Sequence, residues 1–183
     1  MRKIVAGLFV SLDGVTESPE KWHFPYFDDA MGQAVGASIE RTDAMLLGRR
    51  TYEEWASYWP GKTADDDPFA GHINSVTKYV VSSTLTSADW ENSFLITGDV
   101  AGRLRELKEQ PGKDIGMSGS VATVRWLLTE RLLDELDLLV HPIVVGSGSK
   151  LFTDGMPQVP LRLLHSTTFE TGVVHLTYGP EGA

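Results

Sequence analysis

Two arginines, Arg49 and Arg50, sit where an apolar strand gives way to an amphipathic helix, in the stretch Met45-Leu46-Leu47-Gly48-Arg49-Arg50-Thr51-Tyr52. Cations are unfavourable at a helix start, where free backbone N–H groups already carry a partial positive charge. Two guanidinium groups there require compensation by an anion, and arginine suits phosphate through bidentate hydrogen bonding. Ion pairing with Glu53 or Glu54 is the plainer alternative. A second junction repeats the design: Ile115-Gly116-Met117-Ser118-Gly119-Ser120-Val121-Ala122 passes from a strand through glycine into a helix opened by a hydroxyl residue. Each junction taken alone is compatible with ordinary capping, and equally with a phosphate seated on exposed amides that glycine lets approach closely. A third strand, Tyr79-Val80-Val81, ends in the hydroxyls Ser82, Ser83 and Thr84. Anion sites at separate strand ends point to an elongated ligand with several phosphates, such as a dinucleotide. Neither the Gly-x-Gly-x-x-Gly fingerprint nor a Walker motif is present.

Acids that could handle a proton are Asp13, in the turn Ser11-Leu12-Asp13-Gly14 after the first strand, and Asp28 or Asp29, after Trp22-His23-Phe24-Pro25-Tyr26-Phe27. Their structural alternatives are an Asp-Gly turn for the first and helix N-terminal charge for the other two. Trp22, Phe24 and Tyr26 supply aromatic faces for a flat substrate, or core. The five histidines show no i, i+2 or i+4 pairing, so no metal site is expected. Asp65-Asp66-Asp67 lacks calcium-loop spacing, and Gly116 to Ser120 misses the nucleophile-elbow pattern. The chain has no cysteine, which excludes thiolate chemistry and disulfides.

Elements that position these residues follow from periodicity. Strands are expected at Ile4 to Val10, 43–47, 79–81, 94–96, 114–117 and 135–145. Apolar stripes predict helices over about 27–41, through Tyr52, Trp55, Ala56 and Trp59, over 69–74, from Val100 to the Pro111-Gly112 stop, and over 120–130. Leu161 to Phe169 and Val173 to Tyr178 read as a C-terminal hairpin. Alternating strands and helices followed by strands predict an α/β fold: a mostly parallel central sheet with flanking helices and an antiparallel edge. With 183 residues, a single domain over 1–183 is expected.

The formal charge of −9 argues against a nucleic-acid partner, and no run is long enough to span a membrane. A cytoplasmic protein is the expectation.

The order and spacing of these motifs resemble the dihydrofolate reductase-like superfamily, in the branch built like the C-terminal reductase domain of the riboflavin-biosynthesis protein RibD. The resemblance is carried by Ser11 to Gly14, Asp43 to Glu53, Lys78 to Leu85, Gly119-Ser120, Leu133 to Leu136, His141 to Gly148 and Leu151-Phe152. It implies NADPH as cofactor, with Gly48, Arg49, Arg50 and Thr51 at its phosphates. Ser82 and Ser83 match the position beside the 2′-phosphate. Met117, Ser118, Gly119, Ser120, Val121 and Ala122 match the pyrophosphate and nicotinamide loop. Asp13 matches a loop bordering substrate and nicotinamide, and the 146–150 turn one that supports it. Folate reductases carry Gly-Gly where Ser118-Gly119 stands here, which favours the riboflavin-like branch. A homodimer is implied too, with the apolar run Leu136 to Val145 as one possible interface and a buried central strand as the other reading of that run. The expected activity is NADPH-dependent hydride transfer to a small pterin-like or pyrimidine-like heterocycle or a carbonyl. The alternatives are riboflavin-pathway reduction of 5-amino-6-(ribosylamino)pyrimidine, or an NADPH-binding sensing module without catalysis.

Overall fold

A computed structural model describes residues 1–182. Its strands are β1 (Ile4–Ser11), β2 (Thr42–Gly48), β3 (Thr77–Val81), β4 (Ser93–Ile96), β5 (Asp114–Ser118), β6 (Glu135–His141), β7 (Leu161–Thr168) and β8 (Val174–Pro180). The helices are α1 (Asp29–Glu40), α2 (Arg49–Tyr58), α3 (Ala70–Ser75), α4 (Val100–Glu109) and α5 (Val121–Thr129). All eight strands join one sheet in the order β4-β3-β2-β5-β1-β6-β8-β7. The six from β4 to β6 are parallel, and β8 and β7 add an antiparallel hairpin at one edge. This is a dihydrofolate reductase-like α/β architecture. No helix among the described residues is long and apolar enough to cross a membrane.

Strand periodicity sorts side chains to two faces. Ile4, Ala6 and Leu8 of β1, Leu46 of β2 and Ile115 and Met117 of β5 pack beneath Leu104 and Leu107 of α4 and Val124 and Leu127 of α5. On the opposite face, Met45 and Leu47 of β2 and Val80 of β3 meet Tyr52 of α2 and Ile73 of α3. Met31 of α1 closes the rest of that face with Leu139, Val173 and Phe9. Fully burying a side chain such as Leu47 contributes roughly 1.5–3 kcal/mol, so both faces of β2 are needed to hold its carboxyl end in place.

Several boundaries differ from the sequence expectation. The sixth strand ends at His141 rather than Val145, because Pro142 has no N–H for the ladder. The amides of Val145 and Gly146 go instead to the Asp13 carboxylate. The first helix starts at Asp29, with Phe24–Tyr26 forming a 3-10 turn before it. The run from Leu136 is a central strand between β1 and β8, with Leu136, Leu138 and Leu139 buried inside the chain. Beyond the strand, Val144 of the same run is exposed. The sheet's edges are β4, with Phe94 exposed, and β7, with Leu163 and Leu164 exposed.

The amino edge of the sheet is tied by ion pairs. Arg2 pairs with Asp43, Lys3 with Glu135, Arg41 with both Asp114 and Glu135, and Lys108 with Asp134.

Candidate active site

Six parallel strands place six carboxyl ends on one edge, where open α/β sheets bind ligands. The three hydroxyl- and glycine-bearing junctions therefore come together there, on the neighbouring strands β3, β2 and β5.

The β2–α2 and β5–α5 junctions interlock. The Gly48 amide donates to Ser120 Oγ (2.9 Å), and the Ser120 amide donates back to Thr51 Oγ1 (3.0 Å). Ser120 sits at φ 51°, a left-handed conformation unusual for a side-chain-bearing residue, and these two bonds hold it there. Gly48 is required by contact: a Cβ at this position would lie 2.7 Å from Thr123 Oγ1. Gly119, at φ +64°, gives the chain its turn into α5 against Thr51.

Neither α2 nor α5 has a side-chain cap on its first-turn amides. The contrast with the remaining long helices is informative, since Asp28 caps α1 through the Met31 amide (2.8 Å) and Asp99 caps α4 through the Gly102 amide (2.9 Å). Two adjacent uncapped helix starts leave unsatisfied donors and partial positive charge at the carboxyl edge.

Next to them lies a cleft of about 430 Å³ lined by Arg49, Val81, Ser82, Ser83, Thr84, Gly98 and Val100. Ser82 Oγ accepts from the amides of Thr84 (3.1 Å) and Leu85 (3.0 Å), so this buried hydroxyl builds the turn, while Ser83 and Thr84 are exposed. Arg49 also contacts Glu53 (2.9 Å), an exposed i, i+4 pair of the sort that contributes little. Arg50 is exposed and makes no hydrogen bond or ion pair among the described residues, and it does not line the cleft. The arginines thus divide: one faces the cleft, the other stands outside it. Met117 is core, and Ser118 to Ala122 form the loop and first turn of α5.

Gly98, Val100 and Thr123 were not singled out as site residues by the sequence. Ile96-Thr97-Gly98-Asp99 shows the same apolar-to-glycine-to-helix grammar as the other junctions. Thr123 carried no signal, because its importance lies in a contact with a residue far away in sequence.

The two proposed acids are both engaged. Asp13 accepts from Ser11 Oγ (2.6 Å) and from the amides of Val145 (3.0 Å) and Gly146 (2.9 Å). These bonds, Ser11's first, pull its carboxyl down to about 2, so it remains a carboxylate. Its role is to clamp the loop after β1 to the loop after β6. The clamp continues through Ser149, whose amide donates to Glu17 (2.7 Å), and through Leu151, whose amide donates to the Gly14 carbonyl (2.8 Å). Asp28 is spent as the α1 cap and, with Asp29 and Phe27, borders a shallow hollow of about 430 Å³.

Of the proposed aromatic wall, Trp22 is buried with its Nε1–H on the Glu17 carbonyl (3.1 Å), Tyr26 packs beside Met31, and Phe24 is exposed. Between them lies a feature that the sequence did not announce: two buried histidines, His23 and His141, surrounded by Phe9, Trp22, Phe24 and Tyr26. Burial lowers both imidazoles from their ordinary value.

The family model of the RibD C-terminal domain matches residues 2–175. The chain is 31% identical over 181 residues to the uncharacterized protein YyaP of Bacillus subtilis (strain 168), covering 97% of this chain and 94% of that one. A structure from Shewanella sp. PV-4 that bears a riboflavin-biosynthesis name superposes with a TM-score of 0.79 at 23% identity, covering 99% of both chains. A dihydrofolate reductase from Enterococcus faecalis, complexed with NADP(H), superposes with a TM-score of 0.60 at 14% identity, covering 98% of this chain and 96% of that one. Likenesses at such identity speak for the fold and leave function to the site.

Proposed function

The chain belongs to the RibD C-terminal domain family, and on that footing we propose that it is an NADPH-dependent reductase of a small pterin-like or pyrimidine-like heterocycle or a carbonyl. The observation that carries this reading is the cleft of Arg49, Ser83 and Thr84 beside two interlocked, uncapped helix starts. A dinucleotide with an added phosphate monoester fits that arrangement. The amides of α2 and α5 take the pyrophosphate, and the close approach left open at Gly48 and Gly119 admits its oxygens. Arg49, with the Ser83 and Thr84 hydroxyls, takes the 2′-phosphate through charge-assisted bonds. The structural neighbour complexed with NADP(H) supports the same cofactor.

When bound, NADPH supplies the hydride. The protein's own contribution is placement and exclusion of water. The Ser118–Ser120 turn, held by Gly48 and Thr51, and the loop after β1, clamped by Asp13, are the elements that would position the nicotinamide and shield it from water. A homodimer is part of this reading, and the exposed β7 edge is the surface assigned to it.

A second reading, an NADPH-binding module that senses the cofactor without turnover, is favoured by one observation. Asp13 and Asp28 both accept hydrogen bonds from backbone amides, Asp29 is exposed at the start of α1, and none of the three lines the cleft of Arg49. Riboflavin-pathway reduction of a ribosylated pyrimidine remains the pathway-specific form of the first reading, supported by the family.

Fluorescence titration with NADPH and NADH tests the cofactor, and NADPH oxidation across pterins, pyrimidinones, quinones and nitro compounds tests catalysis. NADPH should bind about 10–100-fold more tightly than NADH, the worth of roughly 1.5–3 kcal/mol in charge-assisted bonds. Arg49→Ala should remove most of that preference. Equal affinities would overturn the 2′-phosphate assignment, and tight binding without turnover of any compound would select the sensing module.

A further inference from the structure

His23 lies flat on Phe9, with ring centroids 4.5 Å apart and planes within 15°. Phe24, the next residue, lies at 4.2 Å with its ring tilted by 36°. The imidazole thus stacks on Phe9 beside a second aromatic ring, a position that a planar ligand can take. Edge-on to it, at 6.1 Å and 89°, stands His141, which is fully buried at the carboxyl end of β6. Trp22 and Tyr26 approach His141 edge-on at 5.2 and 5.8 Å, completing the box.

The polar atoms of this box are unfinished. His141 Nδ1 lies 2.8 Å from the Leu139 carbonyl, which fixes the proton on Nδ1 and leaves Nε2 as a bare acceptor. Nε2 is buried without a partner, and so is Nδ1 of His23. Native proteins satisfy nearly all such atoms, and an exception requires an explanation. Burial lowers both rings and so favours their neutral forms, in which the His141 Nε2 lone pair can accept.

The segment holding His23 enters at Ser18, a non-glycine residue at φ 47°, and runs through two single-turn 3-10 pieces, Pro19–Lys21 and Phe24–Tyr26, whose backbone hydrogen bonds close within the segment. Phe24, beside the stack, is itself 63% exposed. The slot borders the proposed cofactor loop, because Phe9 lies on β1, two residues after Gly7, which pairs with Ser118 of β5.

We propose that His23 is an internal plug: its ring occupies, stacked on Phe9 and beside Phe24, the slot of a planar heterocycle bearing a ring N–H, which displaces it and donates that N–H to His141 Nε2. This deepens the reductase reading and rests on it for the cofactor next door. The consequence is a binding tax, since apparent affinity falls by the fraction of molecules in which the plug is out.

The test uses pterin (2-amino-4-oxopteridine), followed by its own fluorescence, with NADPH titrated separately. His23→Ala should bind pterin about tenfold or more tightly than wild type, the gain expected when an open state populated at about 10% becomes dominant. His23→Ala combined with His141→Phe should lose that gain, since the phenyl ring keeps the wall and removes the acceptor. NADPH affinity should stay within about twofold in both, a change below the 1.4 kcal/mol that marks a factor of ten. In the wild type, saturating pterin should shift the His23 ring resonances in NMR toward those of a solvent-exposed imidazole, a readout independent of whether the variants fold. The proposal is overturned if His23→Ala binds no tighter, if the double variant matches the single one, if pterin binds none of the proteins, or if the wild-type His23 resonances stay put. Failure of NADPH to bind while the pterin series holds would sink the cofactor assignment and leave the plug standing.

Discussion

Replacing Gly48 with alanine probes whether the two helix starts act as one device. Gly48 has φ −79° and ψ 162°, which any L-residue adopts, so the backbone raises no objection and the effect isolates one contact. The new Cβ would stand 2.7 Å from Thr123 Oγ1 and 3.6 Å from Ser120 Cβ. Ordinary van der Waals contact begins near 3.4 Å, so the junctions must part by about 0.7 Å or Thr123 must leave its rotamer, and β-branching makes that side chain stiff. Overpacking of this kind costs about 1–3 kcal/mol, and for a chain of this size about 2 kcal/mol lowers Tm by roughly 4–8 °C. Parting the helices also stretches the Gly48–Ser120 and Ser120–Thr51 hydrogen bonds, so NADPH affinity should fall about tenfold, or 1.4 kcal/mol. Thr123→Ala removes the offending oxygen. In the Gly48→Ala/Thr123→Ala protein, both stability and affinity should recover, with a coupling of at least about 1 kcal/mol in a double-mutant cycle. Urea denaturation and fluorescence titration on the four proteins read both quantities. Additive effects, with no recovery in the double variant, would refute the interlock.

Other expectations follow from single features. Arg50→Ala should weaken NADPH less than Arg49→Ala, because only Arg49 lines the cleft; the reverse order in titration would reassign the two. Lys78 is buried and donates to the carbonyls of Asn74, Val76 and Glu91 over the ring of Trp90, so Lys78→Met should cost about 2–4 kcal/mol by stranding those acceptors, and an unchanged urea midpoint would contradict it. Folding should weaken as pH falls below 6.5: burial lowers both His23 and His141, so the unfolded chain takes up protons before the native one does, at up to about 1.4 kcal/mol per pH unit for each ring. The groups acting on these rings are His141, which disfavours the charged form of His23, Glu20, which favours it, and the carbonyls of Leu139 and Val10, which favour the charged form of His141. His23→Phe and His141→Phe should flatten that slope in denaturation series, and an unaltered slope would assign the acid sensitivity elsewhere. Light scattering should give twice the chain mass, with Leu163→Glu on the exposed β7 edge shifting it toward one chain.

What could be read in the sequence was whatever is local. The unalternating run 44–47 marked a strand covered on both faces, and the Gly-to-helix passages at 48–51 and 119–122 marked carboxyl-edge junctions, as the sheet order places them. The i, i+4 spacing offered Glu53 to Arg49, and that pair forms. Whatever depends on distant partners was illegible. Thr51 looked like a phosphate ligand, and that its oxygen also receives the Ser120 amide could not be foreseen. The Leu136 run looked equally like an interface or a core strand, and the β8 pairing on its far side, which makes Glu135–His141 a central strand, could not be read locally. His23 and His141, separated by more than a hundred residues, meet only because β1 and β6 are neighbours.

The ion pairs along the amino edge consume cations there, in a molecule whose formal charge is already −9. An anionic visitor therefore meets a repelling far field and finds attraction only within a few ångströms of the opposite edge. Capture and retention then respond to electrolyte in opposite directions. Added salt, which shortens the Debye length to about 10 Å at 0.1 M, should hasten the encounter by muting the repulsion and hasten departure by loosening the grip at Arg49. The protein would be quickest to sample its cofactor in the conditions under which it holds on least.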